Sequence, residues 1–363
     1  MSQPANTFER PLLTMFPELR SQIAIENIAS LPTPVESLSF SEHAWIKRDD
    51  LTHEEYGGNK IRKLEFIVAD AIRKNAKRII TVGAIGTNHG VATAMVCQQF
   101  GLECIVYLFD QPLKATVTQN LRLMQAYGAR LIYKGSLFKA MLAYYSSPYR
   151  LQSGSYFLFA GGSNLYGTLG FVNAACELQL QIEQGDCPPP SAIVCAVGSG
   201  ATLAGLAYGC QLVGLEADVI GVRVAPKKLG PIPACTPGTV YQLMMEAWRF
   251  LENHCHKAIP RPAAATLLDD YYGDGYGVAT EKGLQALKRF KAMGIALEQT
   301  YTAKAAAAFL DQLERNRGPV LFWDTYNSRD MTARYSNIAP GDLPRNLPES
   351  IRDATTGHSG GAR

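Results

Sequence analysis

The sequence has little net charge and no closely spaced cysteine pairs. Its 363 residues carry a formal net charge of +3, and its lysines and arginines are scattered, which argues against nucleic acid as a partner. None of the eight cysteines forms a Cys-x-x-Cys pair, and several, such as Cys104 and Cys195, stand in apolar, strand-like runs. Buried free thiols in a reducing compartment explain them best, so we expect a cytoplasmic protein.

Long apolar runs and a leader-like start are also missing. Residues Met1–Arg10 show no basic segment followed by an apolar core, so we expect no secretory signal. The longest apolar run, near Ser191–Val197, suits a buried strand, and we predict no membrane partner. The sequence His254-Cys255-His256 lacks a second ligand pair at metal-binding spacing. We therefore interpret it as a helix end at the surface and predict no metal.

Short apolar strands alternate with helices along most of the chain. Apolar residues make up 47% and charged residues 18%, which indicates a globular protein long enough for two domains. The alternation predicts an α/β fold with mostly parallel sheets covered on both faces. Strands are predicted at 78–83, 103–109, 130–133, 156–159, 192–197, 219–224 and 320–323, and helices at 89–100, 114–127, 136–145, 165–183, 201–213, 240–253, 279–293 and 303–316.

One stretch, Tyr56-Gly57-Gly58-Asn59-Lys60, places a lysine where a glycine turn enters a helix. Glycines permit backbone angles and close approaches that other residues resist. The partial positive charge at the start of the helix disfavours an ammonium there, which would lower the pKa of the amine toward that of a usable nucleophile. The alternative is an ordinary solvated lysine.

A second stretch, Gly198-Ser199-Gly200-Ala201-Thr202, follows a buried strand and opens a helix. Converging backbone N–H groups, hydroxyls and the helix dipole together make a cradle for a phosphate group. The stretch lacks the Gly-Lys-Ser/Thr of a Walker loop, and Leu203 stands at the third glycine position of a dinucleotide fingerprint. A small phosphate monoester is the better ligand, although a plain strand-to-helix turn would show the same pattern.

Two further groups of polar residues stand near glycines. Thr87-Asn88-His89 follows a strand end and offers hydroxyl, amide and imidazole groups suited to a carboxylate, or simply caps a helix. Tyr276 and Tyr301 lie in or near glycine-rich loops without an apolar stripe, where phenols can stack on a ring or relay protons. Either tyrosine alone would more often be part of the core.

An amine in a turn, a phosphate cradle, a carboxylate site and ring-stacking tyrosines together suggest pyridoxal 5′-phosphate acting on an amino acid. From about Phe8 to Phe322 the chain resembles the 1-aminocyclopropane-1-carboxylate deaminase/D-cysteine desulfhydrase family of fold type II pyridoxal phosphate enzymes. The matching motifs are Lys47-Arg48-Asp49-Asp50, Gly57-Gly58-Asn59-Lys60-x-Arg62-Lys63-Leu64-Glu65, Thr87-Asn88-His89, Gly161-Gly162-Ser163-Asn164, Gly198–Gly205, Gly273-Asp274-Gly275-Tyr276-Gly277 and Tyr301-Thr302-x-Lys304.

The resemblance implies a role for each candidate residue. Lys60 would carry the cofactor as a Schiff base and remove the α-proton of the substrate. The other cofactor contacts would be Asn88 at the ring hydroxyl, Gly198, Ser199, Gly200, Ala201 and Thr202 at the phosphate, and Thr302 at the pyridine nitrogen. Substrate would be bound by Thr87, Asn88 and His89 at its carboxylate, and Tyr276 and Tyr301 match the active-site tyrosines of the family.

Thr302 distinguishes reactions within the family. The ring-opening deaminases have a glutamate here, which keeps the pyridine nitrogen protonated, whereas Thr302 is a neutral hydroxyl as in the D-cysteine desulfhydrases. We therefore expect β-elimination to pyruvate, ammonia and sulfide. The alternatives are a 1-aminocyclopropane-1-carboxylate deaminase, a cysteate-type sulfo-lyase and, outside this class, a non-catalytic binder of a phosphorylated ligand.

The chain departs from the family pattern at three places. Gly86 replaces the usual glutamine, Thr87 stands where many members have serine, and Asp324-Thr325-Tyr326-Asn327 replaces His-Thr-Gly-Gly. Because those glycines lie close to the cofactor in relatives, we predict that Tyr326 contacts the substrate and alters the choice of amino acid.

The overall architecture expected from the resemblance has two three-layer αβα domains with open, mostly parallel twisted sheets. We predict a large cofactor-binding domain from residues 1–65 and 176–345, a small domain from residues 66–175 and a disordered tail at 346–363. A small amino acid is the expected substrate, and the family resemblance implies a homodimer.

Overall fold

The computed structural model describes residues 9–229, 232–315 and 317–356 of the chain. The strands are β1 (Val35–Ser37), β2 (Ala44–Arg48), β3 (Arg78–Ala84), β4 (Glu103–Phe109), β5 (Arg130–Tyr133), β6 (Ser155–Phe157), β7 (Ala192–Val197), β8 (Asp218–Arg223), β9 (Lys228–Leu229), β10 (Ile232–Pro233), β11 (Thr266–Leu268) and β12 (Val320–Asp324). The helices are α1 (Pro11–Met15), α2 (Asn59–Arg73), α3 (Asn88–Gln99), α4 (Ala115–Ala126), α5 (Leu137–Tyr145), α6 (Leu165–Gln184), α7 (Ala201–Val213), α8 (Pro237–His254), α9 (Glu281–Lys291), α10 (Thr302–Arg315), α11 (Thr332–Tyr335) and α12 (Glu349–Thr356).

The described chain divides into two compact units. Unit 1 extends to Asp70 and resumes from Ser163 to Arg329, and unit 2 contains Ala71–Gly162 and the described residues from Asp330 onward. These divisions differ from the predicted ones at 65/66, 175/176 and 345/346, and the second of those would cut α6 in two. The whole of α6 belongs to unit 1 because it packs tightly on α7, where a Cβ at Gly205 would lie 2.4 Å from the Cβ of Phe171.

The part of the predicted disordered tail that the structure describes contains a helix. Residues 349–356 form α12, and Leu347, Ile351 and Thr355 are buried. Ile351 and Thr355 are four residues apart and lie on one face of the helix, and Leu347 lies in the segment just before it. The remaining residues of the predicted tail, 357–363, lie outside the described residues.

Unit 1 is a three-layer αβα sandwich built on a six-stranded sheet. The strand order is β1-β2-β12-β7-β8-β11, with β1 antiparallel to β2 and the other pairs parallel. Along β7, Ile193 and Cys195 join the core cluster that includes α6, α7 and α8, whereas Val194 and Ala196 join the cluster that includes α9 and α10. This alternation, expected of a strand buried on both faces, confirms the predicted fold class.

The sheet of unit 1 changes direction of growth at β7. The chain continues from β7 to β8 on one side and later returns as β12 on the other. In open parallel sheets, ligands bind beyond the carboxyl ends of the strands at such a switch point. The segments that leave β7 and β12 at this edge are Gly198–Thr202 and Asp324–Asn327.

Unit 2 contains a four-stranded parallel sheet in the order β5-β4-β3-β6. Ile80 and Tyr107 of this sheet form a core cluster with Met141 and Tyr144 of α5. Its switch point lies between β3 and β6, and the segment leaving β3 leads directly into Thr87-Asn88-His89. Among the described residues of both units, none of the helices combines the length and apolar character that spanning a membrane requires.

A buried network of charged groups joins β2, α2 and α6 within unit 1. Arg62 donates to Asp49 and to Glu177 at 2.8 Å, and Lys47 donates to Glu177 at 2.7 Å. Asp49 also accepts from the indole Nε1 of Trp323 at 2.7 Å. Burial opposes the charged form of Glu177, but Arg62 and Lys47 outweigh it and hold the pKa of Glu177 at about 2.

We predict that Glu177→Leu destabilises the protein strongly, because it leaves the Arg62 and Lys47 cations buried without their shared anion. Breaking one partner of a buried ion pair costs about 3–5 kcal/mol. Urea denaturation followed by circular dichroism measures the loss. The matched control is Glu183→Gln at an exposed position of the same helix, which should change stability by no more than about 0.5 kcal/mol. Equal stabilities of the two variants would contradict the prediction.

Candidate active site

The glycine turn before Lys60 is held by two neighbouring segments. A Cβ at Gly57 would lie 1.9 Å from the carbonyl oxygen of Asp50, and Gly58 has φ of +97°. The Gly58 N–H donates to the Asp49 carbonyl oxygen at 2.8 Å, and the Gly57 N–H donates to Asn327 Oδ1 at 2.8 Å. Only glycine fits both positions, because one lacks space for a side chain and the other has a left-handed backbone.

The amine of Lys60 is linked to the phosphate-cradle segment through Asn59. Lys60 Nζ donates to Asn59 Oδ1 at 2.7 Å, and Asn59 Nδ2 donates to Thr202 Oγ1 at 3.0 Å. Burial lowers the pKa of Lys60 to about 8, and the charge of Glu298 opposes that shift. A substantial fraction of the amine is therefore neutral near physiological pH and available as a nucleophile or base.

The predicted phosphate cradle lies at the carboxyl end of β7, where α7 begins at Ala201. Gly200, the N-cap of α7, has φ of +101°, a conformation that glycine adopts easily. Ser199 Oγ accepts from Ser163 Oγ at 2.7 Å. The first turn of a helix together with these hydroxyls suits a phosphate group.

The two tyrosines lie together beside this cradle. The hydroxyls of Tyr276 and Tyr301 are 2.5 Å apart, and their rings meet edge to face. A Cβ at Gly198 would lie 3.2 Å from Tyr301 Cε1, so the Tyr301 ring covers that glycine. Burial raises the pKa of Tyr276 to about 12 and also raises the pKa of Tyr301. Both phenols are neutral at pH 7, and because one donates to the other, the pair has one O–H left to offer.

Lys304 fixes the loop that carries Tyr276. Its side chain is fully buried, and Nζ donates to the carbonyl oxygens of Tyr272 at 2.5 Å and Gly275 at 3.3 Å. Lys304 belongs to α10, the same helix that begins with Thr302. These two hydrogen bonds fix the backbone of the glycine-rich loop and therefore the position of Tyr276.

Thr302 and Glu298 shape the start of α10. The Glu298 N–H donates to Thr302 Oγ1 at 2.9 Å, and the Glu298 carboxylate accepts from the N–H groups of Thr300, at 2.8 Å, and Tyr301. Burial raises the pKa of Glu298, whereas these backbone donors favour its charged form. The hydroxyl oxygen of Thr302 is thus already an acceptor, and it presents no charge.

The segment after β12 packs on the lysine turn. The Thr325 carbonyl oxygen accepts from the Asn59 N–H at 3.2 Å, and a Cβ at Gly58 would lie 3.3 Å from the carbonyl carbon of Tyr326. Burial raises the pKa of Tyr326 to about 12, with a further contribution from the charge of Glu298. Glu298 therefore acts on both Lys60 and Tyr326.

In unit 2, the predicted carboxylate-binding residues have different surroundings. Thr87 is the N-cap of α3 and accepts from the Gly90 N–H at 3.2 Å. Asn88 Oδ1 accepts a hydrogen bond from Asn120 at 2.7 Å. The His89 ring is buried, with Nε2 3.0 Å from Thr81 Oγ1, which indicates a structural role for the imidazole. The part of these residues in substrate binding stays a prediction.

Several residues of this site had no sequence signal. Asn59 and Ser163 lie within motifs of the family resemblance, but nothing in their spacing assigned them the contacts described above. Glu298 and Asn120 stand outside those motifs, and a polar residue at a helix start or on a helix face usually indicates a cap or a solvated surface. Only the long-range contacts identify them.

The residues of unit 1 fit pyridoxal phosphate. Lys60 supplies a mostly buried amine with a lowered pKa, which suits condensation with an aldehyde. The start of α7 supplies backbone N–H groups and the hydroxyls of Ser199 and Thr202 for a phosphate. Asn59 connects the two groups, so the structure places the amine and the cradle within one hydrogen-bonded arrangement.

Comparisons with known proteins agree with this fit. Residues 28–323 match the family described as pyridoxal-phosphate dependent enzyme. A solved structure described as an ACC deaminase homologue is 27% identical, with a TM-score of 0.75, and the match covers 89% of this chain and 97% of that one.

Two more distant structures show the same fold. A threonine deaminase from T.th. is 18% identical, with a TM-score of 0.59 and coverage of 90% of this chain and 99% of that one. Serine racemase from Dictyostelium discoideum is 17% identical, with a TM-score of 0.58 and coverage of 82% and 93%.

We predict that Glu298→Gln lowers the pKa of Lys60. The Glu298 charge favours the ammonium form, so its removal makes the neutral amine predominate from a lower pH. The rate at which the cofactor-free protein takes up pyridoxal phosphate, measured against pH by visible absorbance, reports the titration of this amine. Its midpoint should move below the wild-type value of about 8.

The control for this change is Glu314→Gln, which removes a carboxylate at an exposed position of α10, the helix that follows Glu298. It should leave the midpoint where it is. A midpoint that stays constant or rises in Glu298→Gln would refute the assigned electrostatic role.

Proposed function

Because the chain belongs to the family of pyridoxal-phosphate dependent enzymes, we propose that it is a lyase that carries out β-elimination on a small amino acid. The proposed reaction is most like that of D-cysteine desulfhydrase: elimination releases sulfide and aminoacrylate, and water hydrolyses the aminoacrylate to pyruvate and ammonia. The chain itself is a fold type II enzyme with pyridoxal phosphate as its cofactor. The likeness to an ACC deaminase homologue supports a substrate of small size.

The neutral hydroxyl of Thr302 is the observation that carries this proposal. We place it opposite the pyridine nitrogen, where its side chain is 1% exposed and accepts from the Glu298 N–H. A hydroxyl at that place does not keep the nitrogen protonated, so the ring withdraws electrons less strongly than it would beside a carboxylate. Elimination of a good leaving group at Cβ tolerates this weaker withdrawal, whereas opening of a cyclopropane ring requires more.

The residues of this chain would have the following roles in the proposed reaction. Lys60 Nζ would hold the cofactor and, when it is not bound to the cofactor, would take the proton from Cα of the substrate. Bound pyridoxal phosphate supplies an electron-withdrawing ring that stabilises negative charge at Cα. The bond from Cβ to sulfur then breaks with its electrons on sulfur, and the O–H offered by the Tyr276–Tyr301 pair can protonate the leaving group.

The remaining residues would bind and orient the ligands. Gly198-Ser199-Gly200-Ala201-Thr202 would hold the cofactor phosphate at the start of α7. Asn88 would donate to the ring hydroxyl oxygen, and Thr87 and the backbone near His89 would receive the substrate carboxylate at the start of α3. Tyr326 would limit the space beside the lysine turn.

The alternatives make different products. A 1-aminocyclopropane-1-carboxylate deaminase would give 2-oxobutanoate and ammonia, and a cysteate-type sulfo-lyase would release sulfite. A non-catalytic binder of a phosphorylated ligand would retain the cradle and no chemistry.

A product assay separates these functions. We expect the purified protein to be yellow, and its Lys60→Ala form to be colourless and inactive. A panel of D- and L-amino acids, cysteate and 1-aminocyclopropane-1-carboxylate is scored for pyruvate, 2-oxobutanoate, ammonia, sulfide and sulfite. Pyruvate with sulfide from D-cysteine supports the proposal. Formation of 2-oxobutanoate alone would indicate a 1-aminocyclopropane-1-carboxylate deaminase, and formation of sulfite alone would indicate a cysteate-type sulfo-lyase. No product with any compound would indicate a non-catalytic binder.

We predict that Tyr326→Gly widens the range of accepted amino acids. The Tyr326 side chain is partly buried, and its backbone packs against Gly58, so removing the phenol empties space in the segment next to the lysine turn. Differences of one or a few methylene groups in a pocket are worth about 10- to 200-fold in kcat/KM. We therefore expect kcat/KM for longer β-substituted amino acids to rise at least about tenfold relative to D-cysteine.

The matched control is Tyr326→Phe, which keeps the ring and removes only the hydroxyl. Its substrate profile should resemble that of the wild type. Identical profiles for the glycine variant and the wild type would show that Tyr326 does not restrict the substrate.

A further inference from the structure

Helices α6 and α7 of unit 1 lie side by side and run in the same direction. A Cβ at Gly205 of α7 would lie 2.4 Å from the Cβ of Phe171 of α6. Four residues further along both helices, a Cβ at Gly209 would lie 2.6 Å from the Cβ of Ala175. The contact advances together on the two helices, so they are parallel and their first turns lie at the same end of the pair.

The amino-terminal ends of these two helices are capped in different ways. Helix α6 is capped by its own Asn164, whose Oδ1 accepts the Gly167 N–H at 2.8 Å. The N-cap of α7 is Gly200, which has no side chain that could accept such a bond. The N–H of Ala201, the first residue of α7, donates to Ser163 Oγ at 3.4 Å. The start of α7 is therefore capped by a hydroxyl from the residue that precedes the N-cap of α6.

The hydroxyl of Ser163 also contacts the predicted phosphate cradle. Ser163 Oγ lies 2.7 Å from Ser199 Oγ. A hydroxyl has one hydrogen to donate, and an ionised phosphate accepts hydrogen bonds, so Ser199 can donate to a phosphate only if it accepts from Ser163. The bonds then run in one direction, from the Ala201 N–H to Ser163, from Ser163 to Ser199 and from Ser199 to the phosphate. Hydrogen bonds linked in this way strengthen one another.

We propose that Ser163 is a positioning residue that directs the Ser199 hydroxyl to donate to the cofactor phosphate. This inference rests on the proposed function, in which Gly198–Thr202 holds that phosphate. Ser163 accepts the Ala201 N–H and gives its own hydrogen to Ser199, which leaves the hydrogen of Ser199 for the phosphate. Hydrogen bonds to a charged acceptor are stronger than those to a neutral one, so a bound phosphate favours this direction of the chain. Ser163 acts through Ser199 and needs no contact with the cofactor itself.

A merely structural role for Ser163 would have different consequences. If Ser163 only caps α7, its replacement reduces stability and affects every form of the cofactor equally. If it orients Ser199, its replacement weakens the binding of a ligand that carries a phosphate and of no other. Pyridoxal separates the two cases, because it lacks the phosphate and keeps the aldehyde that condenses with an amine.

The test is Ser163→Ala, which removes the hydroxyl and little else. Cofactor-free protein is titrated separately with pyridoxal phosphate and with pyridoxal, and binding is followed by visible absorbance. We expect the Kd for pyridoxal phosphate to rise about 2- to 10-fold, which corresponds to the loss of one neutral hydrogen bond, and the Kd for pyridoxal to stay constant. Ser199→Ala removes the donor to the phosphate itself and should raise the Kd for pyridoxal phosphate about 10- to 100-fold.

Two further proteins make the result specific. The double variant Ser163→Ala/Ser199→Ala should bind pyridoxal phosphate no more weakly than Ser199→Ala, because Ser163 acts through a hydroxyl that is already gone. The matched control is Ser191→Ala, which removes a hydroxyl that donates to the Pro319 carbonyl oxygen at 2.9 Å. Ser191 lies at the amino end of β7, the opposite end from the cradle, so both Kd values should equal those of the wild type.

The outcomes separate this inference from the proposed function. If Ser163→Ala weakens both ligands equally, or neither, the positioning role is overturned. Independent effects of the two replacements, which multiply in the double variant, would overturn it as well. A wild-type protein that binds pyridoxal as tightly as pyridoxal phosphate would refute the cradle and this inference with it. A wild-type protein that prefers pyridoxal phosphate but makes no elimination product would instead refute the proposed reaction and leave the inference about Ser163 standing.

Discussion

The buried pairing of Arg62 with Asp49 fixes the glycine turn before Lys60 from both sides. The Asp49 carboxylate binds Arg62, which follows Lys60 by two positions, while the Asp49 carbonyl oxygen accepts the N–H of Gly58, which precedes Lys60 by two. A buried guanidinium without an anion is strongly unfavourable, so the first turn of α2 cannot move away from the end of β2. One aspartate thereby determines where the amine lies.

This rigid support allows two opposing effects to set the basicity of the amine. Burial lowers the pKa of Lys60, and the charge of Glu298 raises it, with a result of about 8. Burial alone would give a weaker base, and a fully paired lysine would stay protonated. In the proposed reaction Lys60 acts first as a nucleophile and then carries a proton, and a pKa near the working pH serves both roles. The same carboxylate holds the backbone of Tyr301, so the charge and the phenol pair are fixed together.

Local patterns predicted the elements well but not their partners. Strand β7 and helix α7 have the predicted bounds, because a buried apolar run and a glycine turn into a helix are signals within a few residues. The observed division between the units differs from the predicted one, because the pattern of α6 shows an apolar face without showing which sheet it covers. Residues such as Asn120 and Glu298 act through contacts formed only in the folded chain, and their polarity alone indicates a surface position or a cap.

The departures from the family pattern concern the surroundings of the cofactor groups and leave the groups themselves in place. Gly86 removes a side chain where α4 approaches, and Tyr326 adds a side chain to a segment whose backbone packs on the lysine turn. Lys60, its glycine turn and the cradle at the start of α7 are kept, with Asn59 connecting them. A fold retains its cofactor when the residues that bind the cofactor are unchanged. Its substrate specificity changes when other residues around the binding site are replaced. We therefore propose that the segment after β12 and the packing of α4 near Gly86, each within its own unit, influence the choice of substrate.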